Sequence, residues 1–284
     1  MQRILILGHT GKMGTALMNA FRDSPFEIVG KNRKHFDASN YKSVKGLMND
    51  VKPFIVINSV AYLGIDPCEQ NRELAYRVNS LYPYNLATLA THYRFLLVHF
   101  SSDAVFDGER TTYPYTEMDG LRPVNYYGIT KAQGDWGVSQ YARQYYIFRL
   151  SILFGPSHRG GQFVEKMLRW AKERDEIRIA DDIIMSPSYS RDIAAEVKRL
   201  IEKRMPYGTY HLANKGTASL KELSEEIIQN LGLNVRVVGA SHKDFPHIGR
   251  KNLCTPLSSW KIDTLRPWRE AVKDYCLELQ GKSS

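Results

Sequence analysis

The chain has 284 residues, 43% hydrophobic and 24% charged, an ordinary globular composition that excludes disordered and fibrous classes and suffices for one large or two interleaved domains. No stretch approaches the ~20 uninterrupted apolar residues of a membrane helix, and Met1-Gln2-Arg3 runs straight into an apolar segment without a signal peptide, so a cytoplasmic protein with no membrane partner is expected. The formal charge of +9 resides partly in Lys31-Asn32-Arg33-Lys34 and in Lys198-Arg199 with Lys203-Arg204; the second cluster shares its helical stretch with Glu196 and Glu202, so a solvated face that draws in anionic small molecules is expected, and nucleic acid is not.

Along the first half, short apolar runs alternate with longer amphipathic ones, as in a parallel sheet covered by helices. Strands are predicted at Arg3–Leu7, Glu27–Val29, Phe54–Asn58, Phe95–Phe100 and Tyr145–Arg149. Helices are predicted between them at Lys12–Arg22, Tyr41–Asp50, Gln70–Tyr93 with a break before Pro83, and Tyr126–Gln144. Past Leu150 the alternation loosens into the Gly/Pro-rich stretch Phe154–Gly161, followed by helices at Gln162–Glu173, Ser190–Lys203 and Ser219–Leu231 and strands at Tyr207–Leu212 and Val235–Val238. This suggests a smaller second lobe, closing over the carboxyl ends of the strands where doubly wound sheets bind ligands.

The first strand runs into Gly8-His9-Thr10-Gly11-Lys12-Met13-Gly14 and then a helix. Gly8, Gly11 and Gly14 allow a tight turn that brings backbone N–H groups and the helix N-terminus close to a pyrophosphate, the requirement of a dinucleotide site. At the end of the second strand, where NAD-preferring sites place a carboxylate on the ribose, none occurs before Asp37, whereas Lys31 and Arg33 suit a 2′-phosphate. NADPH is therefore expected, with NADH open as an alternative.

The fourth strand ends in Phe100-Ser101-Ser102-Asp103-Ala104-Val105-Phe106-Asp107-Gly108, and 25 residues beyond Ser102 comes Tyr127-Gly128-Ile129-Thr130-Lys131. Residues i and i+4 share a helix face, so Tyr127 and Lys131 point into one cleft. An adjacent ammonium stabilises a phenolate and lowers a pKa that is otherwise near 10, and Ser102 is placed to hydrogen-bond a reacting oxygen. The eight histidines show no HxxxH or HExxH spacing, and Cys68, Cys254 and Cys276 no CxxC spacing, so neither metal nor disulfide is expected.

With Asn58-Ser59-Val60-Ala61, Val78-Asn79, the Pro123–Lys131 segment and Phe148-Arg149-Leu150-Ser151, these motifs resemble the extended short-chain dehydrogenase/reductase family over nearly the whole chain, and within it the dTDP-4-dehydrorhamnose reductases. The resemblance implies a Rossmann-type doubly wound α/β fold: residues 1–152 the NADP(H)-binding domain, with 186–214 returning to it, and 153–185 with 215–284 a substrate-binding lobe. It implies Ser102, Tyr127 and Lys131 as the catalytic triad and Thr10, Lys12, Met13, Arg33, Asp37, Ala61 and Ser101 as cofactor contacts. Asp103, Phe154, Arg159 and Arg250 are candidate substrate contacts, with plain surface charge as the alternative for the two arginines. The implied reaction is NADPH-dependent reduction of a nucleotide-linked 4-keto-6-deoxy sugar; epimerisation, reduction of another keto-sugar and a non-catalytic NADP-binding regulatory subunit stay open, as does a homodimer. Two departures leave the sugar unnamed: Ile152-Leu153 is aliphatic where the family carries an aromatic ring, and Arg250-Lys251-Asn252-Leu253-Cys254 replaces its Arg-Pro-x-x-Ser segment. Relatives that dehydrate carry Asp-Glu where this chain has Asp103-Ala104, so dehydratase chemistry lacks its base.

Overall fold

The computed structural model describes residues 1–156 and 161–281. In chain order the first half is β1 (Arg3–Leu7), α1 (Lys12–Ala20), β2 (Glu27–Lys31), α2 (Tyr41–Val51), β3 (Ile55–Asn58), α3 (Ile65–Gln70), α4 (Arg72–Tyr76), a π-helical turn (Arg77–Leu81), α5 (Tyr82–Tyr93), β4 (Leu96–Ser102), a 3-10 turn (Asp103–Val105), α6 (Tyr126–Tyr141) and β5 (Tyr145–Leu150). The second half adds β6 (Leu153–Phe154), α7 (Phe163–Glu173), β7 (Glu176–Ala180), β8 (Ile184–Met185), β9 (Ser188–Tyr189), α8 (Ser190–Glu202), β10 (Gly208–Leu212), β11 (Asn214–Lys215), β12 (Ala218–Ser219), α9 (Leu220–Leu231), β13 (Arg236–Ala240), β14 (Leu265–Pro267) and α10 (Trp268–Leu279).

One six-stranded sheet, ordered β10-β5-β4-β3-β1-β2 and parallel throughout, forms the frame of a Rossmann-type doubly wound fold. Its inner strands β1 and β3 are apolar runs because both faces are covered. Ile4 and Ile6 join Leu17, Phe21, Ile193 and Val197 under α1 and α8, while Leu5 and Leu7 join Val44, Leu47, Leu86 and Val138 under α2, α5 and α6. Each such fully buried side chain contributes about 2 kcal/mol of apolar transfer energy, and the alternation fixes the register, since a one-residue slip would exchange the two faces.

The late strand β10 pairs with β5 and its helix α8 packs on α1, so the chain returns to the first sheet after its first excursion. The second lobe has its own core of Val164, Met167, Ile177, Tyr189, Ile227, Trp268 and Tyr275, built by α7, α9, α10 and the parallel pair β7–β13.

The expected break before Pro83 is corrected. The chain breaks at Asn71, whose side chain caps α4, and then winds continuously through the π turn into α5, with Pro83 in its first turn. Proline has no N–H to give the carbonyl four residues back, and a π turn absorbs the mismatch. Among the described residues no helix is long and apolar enough to cross a membrane.

Candidate active site

Beyond β1 the chain turns through Gly8 at φ +82°, where a β-carbon would lie 2.9 Å from the Ser59 hydroxyl. Gly14 is packed harder: a β-carbon there would come within 2.3 Å of the Gly8 carbonyl. The Gly8 N–H donates to the Lys31 carbonyl, which ties the loop to β2. The helix N-cap is Gly11, so no side chain satisfies the first N–H groups of α1, and those donors together with the helix dipole make an anion cradle. Ser101, 7% exposed, has a hydroxyl with no hydrogen-bond partner among the described residues, near the end of β4. A backbone cradle that side chains would fill, with an orphaned polar atom beyond it, fits a dinucleotide.

The other expected cofactor contacts fall around this loop in different ways. Thr10 accepts from Asn32 Nδ2, Ala61 is partly exposed on the stretch after β3, and Arg33 is exposed beyond β2. Asp37 accepts two bonds from Ser39, backbone and hydroxyl, and so is used within its own turn. Met13 sends its side chain into the core under the sheet, leaving its backbone at the loop. Lys12 points across the molecule: its Nζ donates to the Leu153 carbonyl at 2.9 Å and lies 2.8 Å from Glu165 of α7.

The catalytic candidates meet at the carboxyl end of β4. Asn125 caps α6 by accepting from the Gly128 N–H, and its Nδ2 donates to the Arg250 carbonyl and to Asn252 Oδ1. A β-carbon on Gly128 would stand 2.1 Å from the Ala104 carbonyl, so glycine alone lets α6 lie this close to the turn that follows Ser102. The contact brings Tyr127 beside Ser102. One turn on, Lys131 is 1% exposed; its Nζ donates to the Phe100 carbonyl at 2.6 Å and lies 3.5 Å from His99 Nε2. Asn79, in the π turn, makes two hydrogen bonds with the Tyr62 backbone and donates to Thr130, fixing the stretch after β3 against α6.

The expected depression of the Tyr127 phenol is corrected in this form. Burial pushes it up, and the Ser102 hydrogen bond opposes only part of the rise. Among the described residues no hydrogen bond joins Tyr127 to Lys131, whose ammonium donates to the Phe100 carbonyl. Burial also lowers Lys131 to about 8 and drives His99 well below its ordinary range, keeping that imidazole neutral.

The expected substrate contacts are distributed unevenly. Asp103 is a half-buried hub that accepts from Ser102, Ser151 and Thr255, linking the ends of β4 and β5 to the C-terminal segment. Burial pushes its carboxyl up while these donors hold it down. Phe154 is 0% exposed and stacked on Tyr189 in the second core, so it presents no surface to a substrate. Arg250 pairs with Glu109 in an exposed ion pair, and Arg159 lies outside the described residues. Sequence reasoning assigned no role to His99, Asn125 or Glu165, although Asn125 stands where a helix N-cap is favoured.

The chain matches the model of the RmlD substrate binding domain over residues 1–280. It is 32% identical to the spore coat polysaccharide biosynthesis protein SpsK of Bacillus subtilis over all of this chain and 99% of that one. A crystal structure of a dTDP-4-dehydrorhamnose reductase from Clostridium acetobutylicum superposes with a TM-score of 0.93 at 32% identity, covering 98% of this chain and 100% of that one. The same enzyme from Bacillus anthracis, solved in complex with NADP, gives 0.92 at 29% identity, covering 98% and 99%.

Proposed function

The chain belongs to the RmlD substrate binding domain family, and from that membership we propose that it is an NADPH-dependent reductase of a nucleotide-linked 4-keto-6-deoxy sugar. The observation that carries the reading is the close approach of Gly128 to Ala104, which puts Tyr127 beside Ser102 and one helical turn from Lys131, next to a glycine cradle of dinucleotide type. The NADP complex of the Bacillus anthracis relative supports the cofactor. So does the end of β2, where Asp37 is occupied by Ser39 and Arg33 stands exposed for a 2′-phosphate.

NADPH, when bound, supplies hydride to the keto carbon. Tyr127 gives its proton to the alkoxide that develops there, and Ser102 holds the same oxygen by a hydrogen bond. Lys131, charged below about pH 8, stabilises the phenolate that Tyr127 becomes. Asp103 orients Ser102 and seats the C-terminal segment through Thr255; with alanine next to it there is no second carboxylate to abstract a sugar proton, which favours reduction over dehydration.

The purified protein, mixed with NADPH and a panel of nucleotide 4-keto-6-deoxy sugars, is expected to consume NADPH in proportion to sugar reduced. Isomerised sugar without net NADPH oxidation would show an epimerase instead, and no turnover on any sugar would remove the reductase reading.

A further inference from the structure

Lys12 is the first residue of α1, where the helix dipole disfavours a positive charge. Its side chain is nevertheless 3% exposed, so the ammonium has lost water as well. Desolvation accordingly lowers its pKa, against the opposing pull of Glu165. A lysine in that position requires a counter-charge, and the one present comes from the other lobe: Glu165 of α7, its side chain 13% exposed and Oε1 2.8 Å from Nζ. The carboxylate is itself poorly provided for. Neither of its oxygens receives a further hydrogen bond among the described residues, and Tyr275 of α10 lies near it.

A buried pair of this kind contributes little net stability, since desolvation of both ions offsets their attraction. Its placement is more telling than its strength. Lys12 opens the helix whose free N–H groups form the anion cradle, and its other bond is to the Leu153 carbonyl, where the chain enters the second lobe. We infer that Glu165 is a positioning residue that shares the Lys12 ammonium with the diphosphate of a dinucleotide, coupling cofactor binding at α1 to the seating of the substrate lobe through α7. The inference rests on the cofactor reading above. Glu165 holds part of the charge that would otherwise favour the diphosphate, and a bound diphosphate strengthens the case for Lys12 staying charged between the two. Anion and carboxylate then act on one ammonium from opposite lobes, and any change at one alters the other reciprocally.

The test is NADP⁺ binding to the full chain, followed by calorimetry, in the wild type, Glu165→Gln, Glu165→Asp and Lys12→Gln. Removing the carboxylate charge is expected to tighten NADP⁺ by about fivefold, the low end of site-to-site couplings, and to raise the KM for the sugar as α7 loses its tether. Glu165→Asp keeps the charge and is expected to stay near wild type. Lys12→Gln leaves the carboxylate unopposed and is expected to weaken NADP⁺ by more than fivefold. High salt should shrink the difference between wild type and Glu165→Gln. A pair that merely braces the fold would move both partners' variants toward weaker binding, and that result, or no change in Glu165→Gln, overturns the inference. If Lys12→Gln does not fold, Glu165→Gln against Glu165→Asp decides alone. A wild type that fails to bind NADP⁺ at all would instead overturn the cofactor reading on which the inference stands.

Discussion

Gly128 meets the carbonyl of Ala104 so closely that a β-carbon would lie 2.1 Å from the oxygen. The contact is between backbones, so no rotamer change relieves it. Gly128→Ala is expected to push the first turn of α6 away from Ser102 by a fraction of an ångström or more, lowering kcat about a hundredfold and stability by about 1–3 kcal/mol. Steady-state kinetics together with urea unfolding check it; a variant with wild-type kcat would mean that the spacing between Tyr127 and Ser102 is not critical.

Tyr127→Phe removes the proton donor of the proposed mechanism and leaves a ring of nearly the same shape on a helix start held by Asn125. The expected loss in kcat is about 10²–10⁴-fold, the range for a general acid, with NADP⁺ affinity within about twofold of wild type. Pre-steady-state hydride transfer is the measurement. Retained turnover would assign the proton to another group.

The frame of the fold was legible because the inner strands of the main sheet are buried on both faces, so Ile4–Leu7 and Ile55–Ile57 read as unbroken apolar runs. The second lobe was harder. Strand β7, Glu-Ile-Arg-Ile-Ala, places charges at alternate positions on a short element, and two-residue strands such as β8 carry no period to detect. Helix α10 escaped although Ala271, Val272, Tyr275 and Cys276 form a buried stripe. In the site, Tyr127 and Lys131 were legible from helical spacing, but their electrostatics were not: whether Lys131 faces a phenol or the Phe100 carbonyl depends on how β4 lies against α6. Glu165 reaching Lys12 left no local signature, being a contact between distant segments.

Half-buried Asp103 gathers the hydroxyls of three buried residues, Ser102, Ser151 and Thr255. Asp103→Ala leaves these donors facing apolar surroundings, and an unsatisfied buried donor costs about 1–3 kcal/mol. A loss of roughly 3 kcal/mol is expected, with kcat falling as well because Ser102 is no longer oriented. Thr255→Val removes one donor without disturbing β4 and is expected to cost less than half as much. Equal costs in chemical denaturation would mean that the hub acts through the C-terminal segment alone.

Lys131 sets a pH dependence whose sign can be worked out. Its pKa falls from an ordinary 10.5 to about 8 in the folded protein, so between those values the unfolded chain binds more protons than the folded one. Stability then rises with pH across that window, and the penalty for burying the ammonium is fully present below about pH 8. Compared with Lys131→Met, which cannot titrate, the wild type is expected to gain stability as pH is raised from about 7 to about 10. Urea midpoints of the two proteins at both pH values give the answer; parallel curves would show that the buried ammonium is not destabilised.

On the proposed reading, the choice between NADPH and NADH falls on Arg33. The glycine cradle, as proposed, would recognise a diphosphate common to both cofactors, so discrimination has to come from the stretch after β2, where a planar guanidinium can hold a phosphate by two hydrogen bonds. The competing carboxylate, Asp37, accepts the Ser39 N–H and hydroxyl on Oδ1, and an anion there would in any case repel a 2′-phosphate. Arg33→Ser is therefore expected to lower kcat/KM for NADPH by about tenfold or more, equivalent to about 1.4 kcal/mol, while leaving that for NADH nearly unchanged, since no phosphate is lost from the NADH complex. Parallel losses with both cofactors would mean that Arg33 supports the loop rather than reading the ribose, and Lys31 would then be the residue to exchange.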